Sequence, residues 1–350
     1  MIKVGVIYGG KSTEREVSRK SAESVLENLD TLKYDIYPIF INQDGEWFEE
    51  KEVKNKIDNV IKYLKELDIV FPVLHGLYGE DGTIQGLFEI AGVKYIGCKV
   101  LGSSVGMDKA YTKIIFEKAK INQAKYIYVK KYKNSKYIYV DNNMDEIEMD
   151  IDELVNLVEK EIKYPIFVKP SNSGSSVGVN KAQNMKELKN NIEEAAKYDS
   201  KILIEQGIIG KEVECAVLGN DEKGIEVTNP GEILPAGEYY SFDSKYNDVK
   251  SETLVSARIP DDLKEEIKKL AKKAFLAIDG NGLSRVDFFV EKDTNKIYIN
   301  EINTMPGFTK ISMYPKLFEF YGYKYSELLD KIIGKFDIIV ELCRTFFLYK

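Results

Sequence analysis

Residues 3–8 (KVGVIY) form a short β-rich run that stops at Gly9-Gly10 and gives way to a helical pattern. In that pattern Val17, Ser21, Val25 and Leu29 recur at four-residue spacing, with Ala22 and Leu26 beside them. Residues 68–74 (DIVFPVL) and 82–91 (GTIQGLFEIA) repeat the succession of buried strand and helix. Strands alternating with helices constrain the opening of the chain to an α/β unit built on a parallel sheet, closed by residues 97–99. Thr13 followed by Glu16 fits a capping box at the first helix start.

The pattern then changes. Residues 108–120 read as a helix, and two YIYV runs (126–129 and 137–140) flank a polar turn, as in a β-hairpin. The acid-rich stretch 141–153 has no glycine at the sixth position of an Asp-led loop, so it reads as a solvated loop and helix start rather than a calcium loop. Strands follow at 165–169 (PIFVK), after SGSSVG (173–178), and at 202–206 (ILIEQ). A helix over 261–276 precedes two strands, 285–290 and 296–303, joined by a DTN turn. A chain of 350 residues suits two or three domains of roughly 100–200 residues. The boundaries read as 1–97, 98–203 and 204–350, closely packed, since neither internal repeats nor low-complexity linkers occur.

Charge and cysteine usage exclude several classes. Fifty basic against 57 acidic residues leave a net charge of −7, which disfavours a general nucleic-acid binder. Cys98, Cys215 and Cys343 are too scattered for a disulfide framework or a CxxC metal site. Residues 336–349 (FDIIVELCRTFFLY) fall short of the ~20 apolar residues of a membrane span and carry Asp337, Glu341 and Arg344. They read as a terminal amphipathic helix packed on the body. No signal-peptide pattern opens the chain, so a cytoplasmic location is expected. Basic residues are mostly lysine. Arginine occurs only at 15, 19, 258, 285 and 344, and His75 is the one histidine.

Three segments carry chemistry. In YINEIN (298–303), Glu301 and Asn303 lie two apart and share one strand face, and Asp287 of RVDFF can join them across the ladder. Two carboxylates and a carboxamide are hard oxygen ligands suited to Mg²⁺ held together with nucleotide phosphates. Arg285 falls on the same face, where a guanidinium could clamp a phosphate or a developing oxyanion. Taken alone, this face is better read as an ordinary exposed polar surface with an ion pair. The second segment, KPSNSGSSVG (169–178), offers backbone amides and hydroxyls to phosphates without matching a P-loop, and alone is as compatible with an exposed turn. The third, HGLYGEDGT (75–83), places His75 at the carboxyl end of a parallel strand, the usual ligand side of such sheets.

Together, GGKSTEREVS (9–18), HGLYGEDGT (75–83), MDK (107–109), VKPSNSGSSVG (168–178), KY (245–246), RVDFF (285–289) and NEINTMPGFT (300–309) resemble the D-alanine–D-alanine ligases of the ATP-grasp superfamily. The resemblance runs in order from Val4 to about residue 333. It implies a three-domain ATP-grasp fold, α/β and α+β, with ATP between the second and third domains. The reaction it implies has two steps. One D-alanine takes the γ-phosphate of ATP to form an acyl phosphate, and the amine of a second D-alanine then displaces the phosphate.

By position, the resemblance implies that Glu14 binds the first D-alanine's ammonium, tied to Ser175 and Tyr246, with His75 beside its carboxylate. Glu16 is the local alternative to Glu14, but its capping-box position gives it a structural task. Lys109 and Lys169 would hold the α- and β-phosphates, and Lys245 the γ-phosphate. Glu205, Ile208 and Glu212 match the adenosine pocket. Arg285 would stabilise the acyl phosphate and tetrahedral oxyanion. Asp287, Glu301 and Asn303 match the ligands of two Mg²⁺ ions, for which Mn²⁺ can substitute. Ser312 and Met313 match contacts to the second D-alanine. Residues 237–256 read as a mobile lid that shields an acyl phosphate from water. The partners implied are D-alanine and ATP, with no nucleic acid or membrane, in a homodimer.

Lys310-Ile311 stand where many relatives carry Ser-His, and the segment after Lys335 matches nothing expected of the family. Tyr246 disfavours a D-lactate-using relative and leaves D-alanine–D-serine ligation as the alternative. A different ATP-grasp carboxylate–amine ligase would share the metal strand and phosphate loop but lack the first two motifs.

Overall fold

The computed structural model describes residues 1–50, 54–133, 135–174, 177–220, 222, 224–234 and 252–336. Three sheets organise them. The first, in order β4-β3-β2-β1-β5, contains β1 (Ile2–Gly9), β2 (Tyr34–Ile41), β3 (Trp47–Glu49), β4 (Asn55–Lys56) and β5 (Ile69–Pro72). β1 lies between β2 and β5 and runs parallel to both, with Gly5 opposite both Tyr37 and Val70. Val4, Val6 and Ile7 are fully buried, as a strand covered on both faces requires. The parallel sheet thus matches the sequence reading, while β3 and β4 add an antiparallel edge.

Around it run α1 (Arg15–Asn28), α2 (Val60–Leu64) and α3 (Thr83–Ala91). The capping box anticipated from Thr13 and Glu16 does not form: Glu14 holds the N-cap position and makes no side-chain capping bond. Ser12 does this work instead. Its hydroxyl accepts from the Glu14 amide at 3.1 Å and its carbonyl from the Arg15 amide at 3.3 Å.

α4 (Val100–Met107) and α5 (Lys109–Lys118) bridge to the rest of the chain. The second sheet, β10-β9-β11-β6-β7-β8, contains β6 (Tyr126–Lys131), β7 (Tyr137–Val140), β8 (Glu146–Met149), β9 (Ile166–Pro170), β10 (Asn180–Ala182) and β11 (Lys201–Gln206). The YIYV hairpin is present, with Val129 opposite Tyr139. β8 corrects the reading of 141–153 as loop and helix start alone, since EIEM pairs with β7. Its acidic residues sit on a sheet edge, where charge discourages further strand pairing. α6 (Ile151–Glu161) begins with a true capping box between Asp150 and Glu153, and α7 (Met185–Ala195) packs with it over this sheet's core.

The third sheet runs β15-β14-β12-β16-β17, with β13 paired to β12. Its strands are β12 (Gly210–Asn220), β13 (Gly224–Val227), β14 (Gly231–Leu234), β15 (Glu252–Leu254), β16 (Gly282–Glu291) and β17 (Ile297–Asn303). β15 falls within the span read as a lid, whose residues 237–251 lie outside the described residues. α8 (Asp261–Ala277) covers one face of the sheet. α9 (Met313–Tyr321) and α10 (Tyr325–Phe336) join the third sheet to the first in a single core, where Val4 and Phe71 pool with Phe318 and Leu328. The Phe71 and Phe308 rings meet edge-on at 5.3 Å. The terminal helix read at 336–349 lies, beyond its first residue, outside the described residues.

Candidate active site

A cleft of about 530 Å³ separates the second and third sheets, with Lys169 and Glu205 on one wall and Glu212 and Phe289 on the other. Ile208 lines the connection between β11 and β12. A smaller polar cavity of about 100 Å³ lies toward the first sheet, lined by Glu14, His75, Glu80, Arg285 and Ser312. Lys109 and Glu301 line both, so the two spaces meet there.

The β16–β17 ladder assembles the oxygen-rich face anticipated from the sequence. Asp287 stands opposite Glu301 and Arg285 opposite Asn303. Arg285 donates from Nε to Asp287 Oδ1 at 2.8 Å and from Nη2 to Oδ2 at 2.7 Å, and its Nε lies 3.1 Å from Glu214 Oε2. Burial alone would disfavour the guanidinium, but Asp287 and Glu214 outweigh it and push the Arg285 pKa up. The Asn303 amide nitrogen donates to Asp287 Oδ2 at 3.2 Å.

A register shift after Asp287 puts Phe288 opposite Ile299, leaving Asn300 as the extra residue of a bulge. Simple alternation would turn Asn300 away from Glu301. The bulge brings both to the cleft, and Asn300 Oδ1 accepts from Lys169 at 3.5 Å.

Lys109 Nζ donates to the Ser173 carbonyl at 2.7 Å and lies 3.6 Å from Glu301. Its position follows from Asp108, which caps α5 by accepting from the Ala110 and Tyr111 amides. The same carboxylate accepts from Ser171 Oγ at 2.7 Å and pairs with Lys201. Deeper in the cleft, Glu205 pairs with Lys169 and with Lys113, the latter at 3.0 Å. Burial opposes its ionisation, but the two ammoniums prevail and lower its pKa to about 2.

In the small cavity, His75 Nδ1 faces the Met305 carbonyl at 3.1 Å and Nε2 faces Ser21 Oγ at 3.0 Å. A carbonyl only accepts, so Nδ1 carries the proton and Nε2 accepts from the hydroxyl. Burial lowers the His75 pKa to about 4, so the ring is neutral at pH 7. Glu80 accepts from the Gly76 amide at 2.8 Å, and burial together with the charge of Glu14 raises its pKa to about 8. Glu14 is buried against Gly76 and Gly174, where a Cβ on either glycine would overlap its carboxylate. Glu16 instead points outward and pairs with Arg15 at 3.6 Å. Ser312 precedes α9, its Oγ accepting from the Thr309 amide at 3.0 Å, and Met313 is buried beside it. Ser175, Lys245 and Tyr246 lie outside the described residues.

One family model, describing the D-ala D-ala ligase N-terminus, matches residues 3–62 and 52–98, and a second, describing the C-terminus, matches 115–334. The chain belongs to the D-alanine–D-alanine ligase family. It is 48% identical to the D-alanine–D-alanine ligase of Clostridium acetobutylicum, over 95% of this chain and 96% of that one. The Acetivibrio thermocellus ligase is 47% identical, over 95% and 94%. Among solved structures, the VanG D-Ala:D-Ser ligase of Enterococcus faecalis superposes with a TM-score of 0.82 at 35% identity, covering 96% of this chain and 99% of its own. The Coxiella burnetii D-alanine–D-alanine ligase gives 0.79 at 30% identity, over 99% and 97%. The three-sheet architecture of this ligase is therefore the ATP-grasp fold anticipated from its motifs.

Several residues that line the two cavities escape local reading. Glu214 could have been found by alternation, since it lies two after Glu212 and opposite Asp287. Glu80 sits inside the HGLYGEDGT motif, but only its place beside Glu14 in the small cavity distinguishes it from Asp81. Lys113 and Asn300 carry no local signal of a site role.

The donor set suits a hard cation. Among the described residues no three His, Cys, Asp or Glu side chains group to hold a metal. Asp287, Glu301 and the Asn303 carboxamide therefore need further oxygens to complete a shell. Nucleotide phosphates and water supply them in Mg²⁺ sites.

Proposed function

We propose that this ligase joins two D-alanine molecules to D-alanyl-D-alanine at the expense of ATP, for peptidoglycan precursor synthesis. The observation that carries the reading is the meeting of the two cavities at Lys109 and Glu301. A nucleotide in the cleft and an amino acid in the small cavity would bring the γ-phosphate and the carboxylate together there.

Glu80 is held neutral, so Glu14 and Glu80 together offer one negative charge to one ammonium. His75, neutral and pinned by Met305 and Ser21, shapes the wall without adding a charge that would compete for the carboxylate. Lys109 and Lys169 neutralise the phosphates, and Glu205, Ile208 and Glu212 take the adenosine. Asp287, Glu301 and Asn303 would hold Mg²⁺, which neutralises charge on the transferring phosphoryl group. Arg285, braced by Asp287 and Glu214, presents a fixed guanidinium to the acyl phosphate and then to the tetrahedral oxyanion. The second amino acid enters beside Ser312 and Met313, and its amine displaces phosphate. Ser175, Lys245, Tyr246 and the lid complete this reading from the family motifs. So do the three-domain division, a cytoplasmic location and a homodimer. Among the described residues no helix is long and apolar enough to cross a membrane.

The likeness to VanG keeps D-serine as a second candidate for the entering amino acid. Phosphate release from ATP, measured with D-alanine alone and with D-serine or D-lactate added, separates the readings. D-alanine alone should suffice, and its failure to do so would overturn the proposal.

A further inference from the structure

Lys113 lies on α5, one turn beyond Lys109, and only 3% of its side chain is exposed. Its ammonium reaches Glu205 at 3.0 Å and rests 5.4 Å from the centre of the Tyr126 ring. Tyr126 and Phe167 flank Glu205 on the neighbouring strands. Glu205 therefore enters the cleft from a floor that carries its own buried counter-ion.

Glu205 has a second partner, Lys169, but the two lysines are not equivalent. Lys169 lines the nucleotide cleft beside Asn300, where phosphates would draw its ammonium away. Lys113 borders the same cleft but is the more deeply buried of the two, with 3% of its side chain exposed against 13% for Lys169, so it is the partner that would remain with Glu205. We propose that Lys113 sets the choice of nucleobase by keeping Glu205 ionised while the nucleotide is bound.

The inference rests on the reading of the cleft as the ATP site. An ionised carboxylate only accepts hydrogen bonds, so the base edge facing it must donate. The exocyclic amine of adenine does so, whereas guanine presents its O6 acceptor at the same place. A site built around one donor rejects an analogue lacking it by up to roughly 10⁴-fold. Without Lys113, a carboxylate this buried would take up a proton once Lys169 turned to the phosphates. It could then donate to guanine as readily as accept from adenine.

Lys113 is thus a positioning residue acting through Glu205. The test compares ADP and GDP affinity by calorimetry, and ATP and GTP turnover by phosphate release, in the wild type, Lys113→Met, Lys113→Arg and Glu205→Gln. Lys113→Met should reduce the adenine-over-guanine preference at least about tenfold, through nucleotide KM more than kcat. Lys113→Arg should recover part of it. Glu205→Gln should lose the preference as well, and adding Lys113→Met should remove little more. If Lys113→Met folds and keeps the wild-type preference, the inference fails with the ligase reading intact. Should Lys113→Met not fold, a Glu205→Gln enzyme with undiminished preference overturns it equally. Absence of D-alanine-dependent phosphate release in the wild type would instead overturn the ligase reading, while calorimetry still reports on the base.

Discussion

His75 Nδ1 donates to the carbonyl of Met305, 230 residues later in the chain, at 3.1 Å. Through Nε2 the same ring accepts from Ser21, whose oxygen in turn accepts the Phe308 amide at 3.1 Å. One neutral imidazole thus ties the first sheet to the loop that leads into α9. Its folded pKa of about 4 lies below the ordinary 6.5. The stability it contributes is therefore complete above about pH 6.5 and declines as pH falls toward 4. His75→Gln should flatten that slope in melting curves recorded between pH 4 and 7.

Glu80 has the opposite sign. Its folded pKa of about 8 exceeds the ordinary 4.5, so its contribution is present below pH 4.5 and is lost as pH rises through 8. Glu80→Gln keeps an acceptor for the Gly76 amide and cannot ionise. It should match the wild type near pH 5 and melt higher above pH 8. An unchanged difference across that range would show that Glu80 does not titrate with folding.

Gly174 touches Glu14 through the space a side chain would fill. Gly174→Ala should displace the Glu14 carboxylate, at a stability cost of about 1–3 kcal/mol. The KM for the first D-alanine should rise about tenfold or more, with little change in ADP affinity. Equal loss of both affinities would point to general disruption instead.

Arg285 offers a two-pronged contact that lysine cannot reproduce. Arg285→Lys should lower kcat by roughly 10²–10³ in phosphate-release assays. Asp287→Asn should destabilise the fold by about 1–3 kcal/mol in denaturant titrations, since it weakens one of the two carboxylate partners of the Arg285 guanidinium and leaves Glu214 in place.

Glu301→Gln should abolish turnover and weaken the dependence of the rate on added Mg²⁺. Wild-type rates in this variant would remove Glu301 from the cation site. EDTA should stop the wild-type reaction, and added Mg²⁺ should restore it.

Much of the fold and the centre of the site can be read locally. The two-residue spacing of Glu301 and Asn303, and of Arg285 and Asp287, places each pair on one face of its strand. The observed register then sets the two pairs opposite one another. Asn300 could not be read this way, because a bulge reverses the alternation and no local pattern announces it. Glu14 and Glu16 look alike as carboxylates at a helix start, and the capping motif favoured a structural task for Glu16. The packing of Gly76 and Gly174 buries Glu14 and leaves Glu16 outside.

The sequence by itself determined the opening alternation of strand and helix, the shared face of the metal-ligand candidates and the family, since these depend on periodicity and on residues close in the chain. Tertiary structure decided the charge of each group. Glu205 is ionised and Glu80 protonated although both are glutamates with little exposure, because one meets two lysines while desolvation and the charge of Glu14 hold the proton on the other. The proton on His75 is placed by a carbonyl from the far end of the chain. Solvation and Coulomb energy depend on distance in space, and separation along the sequence does not supply it.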